Sequence, residues 1–315
     1  MNKLFGCIAF ISFLAFFSIK NYGAVPSTPT LLQMPISEPS FPFPEIPVAL
    51  QTPDARKDFL LRHYWSRFDF MNEKLIEDKA ISEQGLVNFL ALLLDDSTSE
   101  DLKKEALHQY TLQMSQDSFA RKYFMDLTSK YLYDVNSPIH NESLYALYLR
   151  ELLACETLDI AERHRCEFFL KLVERNNPGC IATDFRFITP DNRQKTLLNM
   201  SVKGNHLLVI FYDPECEQCC NMLSTMKQDN WLLSQTATGR ISVLAIYTEG
   251  DEHVWHTNLP DISSAWIIGY DYGRIKEQAL YDLKAMPSLY LLDGHKRVVL
   301  KDASYEQIKA YLTSE

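Results

Sequence analysis

One stretch of the sequence limits the fold more than any other: residues 206–225, which read HLLVIFYDPECEQCCNMLST. Residues 207–212 are continuously apolar, which is typical of a strand covered on both faces in a parallel or mixed sheet. Asp and Pro at 213–214 end that strand. Cys216 and Cys219 follow at the start of a predicted helix, where unpaired N–H groups and the helix dipole stabilise a thiolate.

The spacing of these two cysteines predicts redox chemistry. Side chains three residues apart lie on one helical face, about 5–6 Å apart at Cβ. Cys216 at the exposed end can therefore attack a disulfide, and Cys219 can resolve the mixed disulfide. The same spacing also serves half of a zinc site or a structural clip. Cys220 adds a third thiol, so a Cys216–Cys220 pair is a second pairing that the sequence leaves open.

A second motif lies some 70 residues further on, where Met286 and Pro287 precede the apolar residues 289–292. Together with the CxxC and with GCIATDF at 179–185, it resembles the thioredoxin-like family, specifically the exported TlpA/ResA type. The resemblance covers about residues 178–315. It implies a thioredoxin fold with Cys216 and Cys219 as catalytic residues. It also implies a cis Met286–Pro287 bond facing them, where Met286 pairs with an extended substrate segment and Pro287 shields the sulfurs.

The surroundings of Cys216 predict the direction of electron flow. Asp213, Glu215 and Glu217 place up to three negative charges nearby, and residues 207–226 contain no Lys, Arg or His. Like charge disfavours a thiolate, and strong oxidants of this fold owe their power to a stabilised reduced form. The sequence therefore predicts a reductase or isomerase rather than an oxidant. Glu215 also stands where thioredoxins usually carry tryptophan.

The N-terminal segment indicates export. Residues 1–24 combine Lys3, an apolar run and a small-residue site, as a cleaved signal peptide does, with an uncleaved anchor as the alternative. Residues 25–51 are predicted to be a tether, because eight of the fourteen prolines lie between Pro26 and Pro53. The signal segment therefore predicts a periplasmic or cell-envelope location, where disulfides persist, and membrane association only through this N-terminal segment.

Residues 52–176 have helical periodicity with short polar breaks, which predicts an all-α domain of five or six helices, one of them capped by Ser82. The residues His63-Tyr64-Trp65 make it similar to an uncharacterised helical domain that precedes thioredoxin-like domains in exported Bacteroidota proteins. His63 and Trp65 either line a partner-binding cleft or, as we favour, Trp65 packs the first helix with Tyr64 and Phe68 while His63 is an interface residue with satisfied hydrogen bonds. Residues 178–315 are predicted to form an α/β domain with helices on both sheet faces and an edge strand at 265–268. The fold class is thus two-domain α+β.

The remaining features narrow the function classes. A formal charge of −10 argues against nucleic acid as a partner, and the partners expected are protein disulfides or dithiols and an envelope redox protein. We predict no cofactor and no metal. His253 and His256 are more simply explained by a solvated helix, and Met222 and Met226 by helix packing, than by Cu(I) binding. The alternatives are a copper-binding chaperone that uses the CxxCC thiolates and a non-catalytic adaptor. Whether Cys155 and Cys166 pair is left open.

Overall fold

The structure, a computed structural model, describes residues 40–259 and 265–314. The predicted signal peptide and residues 25–39 of the predicted tether lie outside the described residues. The helical region contains α1 (Pro53–His63), α2 (Glu73–Glu77), α3 (Ser82–Leu94), α4 (Glu100–Met114), α5 (Ser118–Leu132), α6 (Glu142–Leu153) and α7 (Ile160–Glu174). In the described part of this region the helices thus number seven, one more than the upper limit expected.

Local sequence explains where these helices begin. Most have an N-cap side chain that accepts a hydrogen bond from a backbone N–H of the first turn, and Asp159 with Glu162 forms a full capping box. The prediction that Ser82 caps α3 is wrong. The Ser82 hydroxyl instead donates to the Asp78 carbonyl at 3.1 Å, because a preceding turn carries the backbone directly from the short helix α2 into α3.

The core of the helical region is aromatic. Tyr64 and Trp65 are buried, and the Trp65 ring packs against the rings of Tyr64 and Phe68, so the packing interpretation is confirmed for these three residues. His63 is exposed. Phe41 is buried in the same cluster, 4.9 Å from the Tyr64 ring centroid. The expectation of an extended tether is therefore wrong for its described part, because an aromatic side chain anchors that segment to the helices.

The second region is built on a seven-stranded mixed sheet in the order β2-β1-β5-β4-β3-β6-β7. Its elements are β1 (Arg186–Ile188), β2 (Gln194–Thr196), β3 (His206–Tyr212), α8 (Glu217–Gln228), α9 (Asn230–Ala237), β4 (Ile241–Tyr247), α10 (Glu252–Asn258), β5 (Ile267–Tyr270), α11 (Arg274–Glu277), β6 (Ser288–Asp293), β7 (Val298–Leu300) and α12 (Tyr305–Ser314). Strand β3 pairs in parallel with β4 and antiparallel with β6, which explains why residues 207–212 are all buried and apolar.

Two apolar cores lie on opposite faces of this sheet. One contains side chains of α8, α9, α10 and α12, and the other contains side chains of α11 and of the connections around it. Helices thus cover both faces, as predicted. The predicted edge strand is wrong: β5 lies between β4 and β1, because the β1–β2 hairpin adds to its outer side. None of the helices among the described residues combines the length and apolar character needed to span a bilayer.

Candidate active site

The carboxyl end of β3 places the cysteines. Cys216 is the N-cap residue of α8, with an extended backbone conformation, and its carbonyl accepts the N–H of Cys220 at 3.1 Å. The Cys216 side chain is half-buried, whereas the Cys219 side chain is buried within the first turn. The structure therefore brings Cys216 to the accessible helix end and Cys219 beneath it, the arrangement that the CxxC spacing predicts.

The two thiols have different environments. Burial raises the pKa of Cys219 to about 12, a hydrogen bond with Cys216 acts in the same direction, and the Asp213 N–H, at 3.5 Å from the Cys219 sulfur, partly opposes them. A neutral, buried Cys219 is suited to wait as a thiol until a mixed disulfide forms on Cys216. Cys220 is exposed, and its thiol donates to the Pro214 carbonyl at 3.1 Å.

The loop before β6 faces Cys216. The Met286–Pro287 peptide bond is cis, as predicted. The Cys216 thiol donates to the Met286 carbonyl oxygen at 3.7 Å, although 70 residues separate them. The structure therefore unites all four residues that the sequence singled out, Cys216, Cys219, Met286 and Pro287. Their roles as catalytic and substrate-binding residues remain predictions.

Carboxylates surround the accessible end of α8. Glu215 and Glu217 are exposed and Asp213 is half-buried. The Asp213 carboxylate accepts the Glu215 N–H at 2.9 Å, which closes the turn between β3 and α8. Three carboxylates thus flank the start of α8 in the sequence, two of them on exposed side chains.

Sequence reasoning missed a group of polar residues behind the loop. Lys284 lies two residues before Met286 and forms an ion pair with Glu142 of the helical region. On the other side of the loop, the Ser288 hydroxyl donates to Asp302 at 2.6 Å. Lys284 is adjacent to the Ala285-Met286-Pro287 motif, but the sequence carried no signal for its partner 142 residues away.

A cleft of about 530 Å³ opens beside Pro287. Met222 of α8 and Tyr305 of α12 line one part of it, while Val135 and His140 come from the connection between α5 and α6. The helical region therefore contributes directly to the surface next to the predicted substrate loop.

Of the candidate copper ligands, Met222 and Met226 lie in the same apolar cluster as Cys216 and Cys219. His253 and His256 are exposed on α10, where His256 lies 3.7 Å from the Glu252 carboxylate, and Met226 is buried in the sheet-facing core. Among residues 40–259 and 265–314, no group of three or more His, Cys, Asp and Glu side chains is arranged to hold a metal ion. Cys155 and Cys166 are both buried free thiols.

The fold and this site define the C-terminal region as thioredoxin-like. A crystal structure of a thioredoxin-like protein from Bacteroides caccae is 32% identical and matches 88% of this chain and 99% of that chain, with a TM-score of 0.74. The C-terminal domain of an uncharacterised Bacteroides fragilis protein is 32% identical over 44% of this chain and 98% of that one, with a TM-score of 0.42. The thioredoxin domain of a Bacteroides vulgatus thiol-disulfide oxidoreductase is 16% identical over 44% and 96%, with a TM-score of 0.37.

The family of the chain is identified from its N-terminal half. Residues 19–176 match the model described as Domain of unknown function (DUF5106), so the chain belongs to that family. The similarity to the Bacteroides caccae protein extends over both regions. No match was found among curated proteins.

Proposed function

We propose that the protein is a thiol-disulfide oxidoreductase of the cell envelope that reduces or isomerises disulfides of other exported proteins. The observation that carries the proposal is the position of the Cys216 thiol. It lies half-buried at a helix start, above the buried Cys219, and 3.7 Å from the backbone carbonyl of Met286. A substrate strand that pairs with Met286 would bring its disulfide to the Cys216 sulfur.

The reaction follows from the two thiol environments. The Cys216 thiolate attacks one sulfur of the substrate disulfide, which forms a mixed disulfide and releases the other sulfur as a thiolate that takes up a proton. Cys219 then loses its proton and attacks the Cys216 sulfur, which releases the second substrate thiol. Two electrons have passed to the substrate, and a dithiol protein of the envelope must supply two more to the Cys216–Cys219 disulfide, becoming a disulfide itself. In isomerisation a substrate thiol resolves the mixed disulfide instead.

The experiment that tests this function is a trap. In a Cys219→Ser variant the mixed disulfide on Cys216 cannot be resolved internally, so covalent complexes should accumulate in the envelope fraction and separate on non-reducing gels. A Cys216→Ser/Cys219→Ser variant is the matched control and should trap nothing. Mass spectrometry of the linked peptides identifies both the sulfur used and the substrates. Linkage through Cys220 would contradict the assignment.

The direction of electron flow is tested by measuring the reduction potential of the Cys216–Cys219 pair. Asp213, Glu215 and Glu217 lie close to Cys216 in the sequence, residues 207–226 contain no Lys, Arg or His, and we propose a reducing direction on this ground. Equilibration of the CxxC with glutathione should therefore give a potential nearer that of thioredoxin, about −270 mV, than that of DsbA-type oxidants, about −120 mV. A potential close to the second value would mean that the protein acts as an oxidant.

Export and the two alternative functions are tested on the same protein. The mass of the mature chain from the envelope fraction should correspond to cleavage near residue 24, whereas an uncleaved anchor would retain the full mass. A copper-binding chaperone would bind Cu(I) stoichiometrically through the CxxCC thiolates. An adaptor would neither bind Cu(I) nor exchange disulfides.

A further inference from the structure

The segment 282–288, which contains Met286 and Pro287, is held by residues of the helical region. The Tyr133 hydroxyl, just after α5, lies 2.9 and 3.0 Å from the two carboxylate oxygens of Asp282. The Lys284 ammonium lies 3.2 Å from the Asp282 carboxylate and 4.4 Å from the centroid of the Tyr133 ring. Tyr133 thus contacts both charged residues of the segment, by a hydrogen bond and by a cation–π contact.

Glu142, the first residue of α6, adds a second connection. Its carboxylate pairs with Lys284 and also with Lys301, at 2.7 Å in the second case. The Lys301 ammonium further donates to the Val173 carbonyl at 2.8 Å. The side chains of Lys284 and Lys301 are only 7% and 6% exposed. Buried charges tolerate few arrangements, because loss of a partner leaves an uncompensated ion.

The far end of the segment is fixed within the C-terminal region. Ser288 is buried and donates to Asp302, which follows β7. Met286 therefore lies between two fixed points, Asp282 with Lys284 on one side and Ser288 on the other. The Met286 carbonyl oxygen accepts the hydrogen bond from the Cys216 thiol. The helical region determines one of the two fixed points.

We propose that Tyr133 and Glu142 are positioning residues for substrate binding: through Asp282 and Lys284 they hold the Met286 backbone where an extended polypeptide can pair with it beside Cys216. This inference rests on the proposed function and gives the DUF5106 region a part in it. The α5–α6 connection that ends at Glu142 also supplies Val135 and His140 to the cleft beside Pro287, so the same connection borders the path of the substrate.

The test compares two substrates on the full chain. A folded polypeptide with one accessible disulfide requires the Met286 backbone, whereas a small aromatic disulfide reacts with Cys216 without strand pairing. Tyr133→Phe retains the ring and removes only the hydrogen bonds to Asp282, and Glu142→Gln removes the charge between the two lysines. In both variants the ratio of kcat/KM for the polypeptide to that for the small disulfide should fall about fivefold or more, the lower end of usual site-to-site coupling, mainly through KM.

Matched controls come from the helical region itself. Glu83 accepts hydrogen bonds from Lys130 at 2.5 Å and from Tyr131 at 2.7 Å, remote from the loop. Tyr131→Phe and Glu83→Gln repeat the same chemical changes there and should leave the substrate ratio unchanged. An unchanged ratio in Tyr133→Phe and Glu142→Gln, or an equal fall in the controls, overturns the proposal.

A second readout does not depend on activity. Amide hydrogen exchange of the peptide covering residues 282–290 should be faster in Tyr133→Phe than in Tyr131→Phe, because the loop has lost one fixed point. If the wild-type chain exchanges neither disulfide, the proposed function has failed, and this measurement alone decides the positioning role. Equal exchange rates in the two variants would then overturn it.

Discussion

Glu142→Gln provides a sharp test of how the two regions are joined. The Glu142 side chain is 17% exposed and stands between Lys284 and Lys301, which are 7% and 6% exposed. Removing its charge leaves the buried Lys301 ammonium without a carboxylate partner, whereas Lys284 keeps Asp282 at 3.2 Å. Loss of one partner from a buried ion pair costs about 3–5 kcal/mol, and we expect the free energy of unfolding to fall by that amount.

The matched comparison is Glu83→Gln. Its lysine partner, Lys130, is 58% exposed, and pairs at the surface contribute about 0.2–1 kcal/mol. Urea unfolding at neutral pH, followed by both tryptophan fluorescence and circular dichroism, should therefore separate the two variants clearly. The reasoning is refuted if both lose the same stability within error.

The source of the cost can be separated further. In Glu142→Gln/Lys301→Met one uncompensated ammonium is gone, so part of the lost stability should return, with a coupling energy of about 0.5–3 kcal/mol. Burial acts to raise the pKa of Glu142, but the two lysines more than offset it and leave that pKa below its usual value. A carboxyl with a depressed pKa stabilises the fold above its unfolded pKa of 4.5 and loses this contribution as pH falls through the folded pKa. The stability difference between wild type and Glu142→Gln should shrink in that acid range.

Three further outcomes are expected. Burial and, secondarily, the Lys284 charge hold the pKa of His140 below its usual 6.5. The folded protein therefore favours neutral His140, and stability is lost as pH falls below about 6.5. The fall in melting temperature between about pH 7.5 and 5.5 should accordingly be smaller in His140→Gln than in the wild type. Gly269→Ala would place a Cβ 2.5 Å from a Phe187 ring carbon, and calorimetry should show a loss of about 1–3 kcal/mol. Phe41→Ala should cost about 3 kcal/mol in urea unfolding; a value near zero would mean that this segment is a tether after all.

Features that depend on neighbouring residues could be predicted from the sequence, whereas features that depend on distant residues could not. The strand at residues 207–212 and the helix after Cys216 were predictable because a buried apolar run and a helix start are local patterns. The facing of Met286 and Cys216 was predictable only through family resemblance. The position of β5 inside the sheet could not be predicted, because an apolar strand has the same composition whether or not another strand pairs with its second edge.

The contacts between the helical region and the loop before β6 were even less predictable from the sequence. The Tyr133 ring packs in the helical core against Tyr145. Its hydroxyl, however, bonds Asp282, 149 residues further along the chain. Nothing near Tyr133 distinguishes this hydroxyl from those of the other core tyrosines, because the partner is brought close only by the assembled sheet. Only the structure therefore reveals the contacts of the helical region with the segment 282–288.

The sharing of Glu142 between two distant lysines also has a consequence for the order of folding. Lys284 and Lys301 follow Glu142 by 142 and 159 residues in the sequence. The Glu142 carboxylate can lose its water only when the segments around β6 and β7 bring both lysines to it, because burying a carboxylate without a partner is costly. We therefore expect the loop before β6 to reach its final position late in folding, after the helical region and the sheet have come into contact.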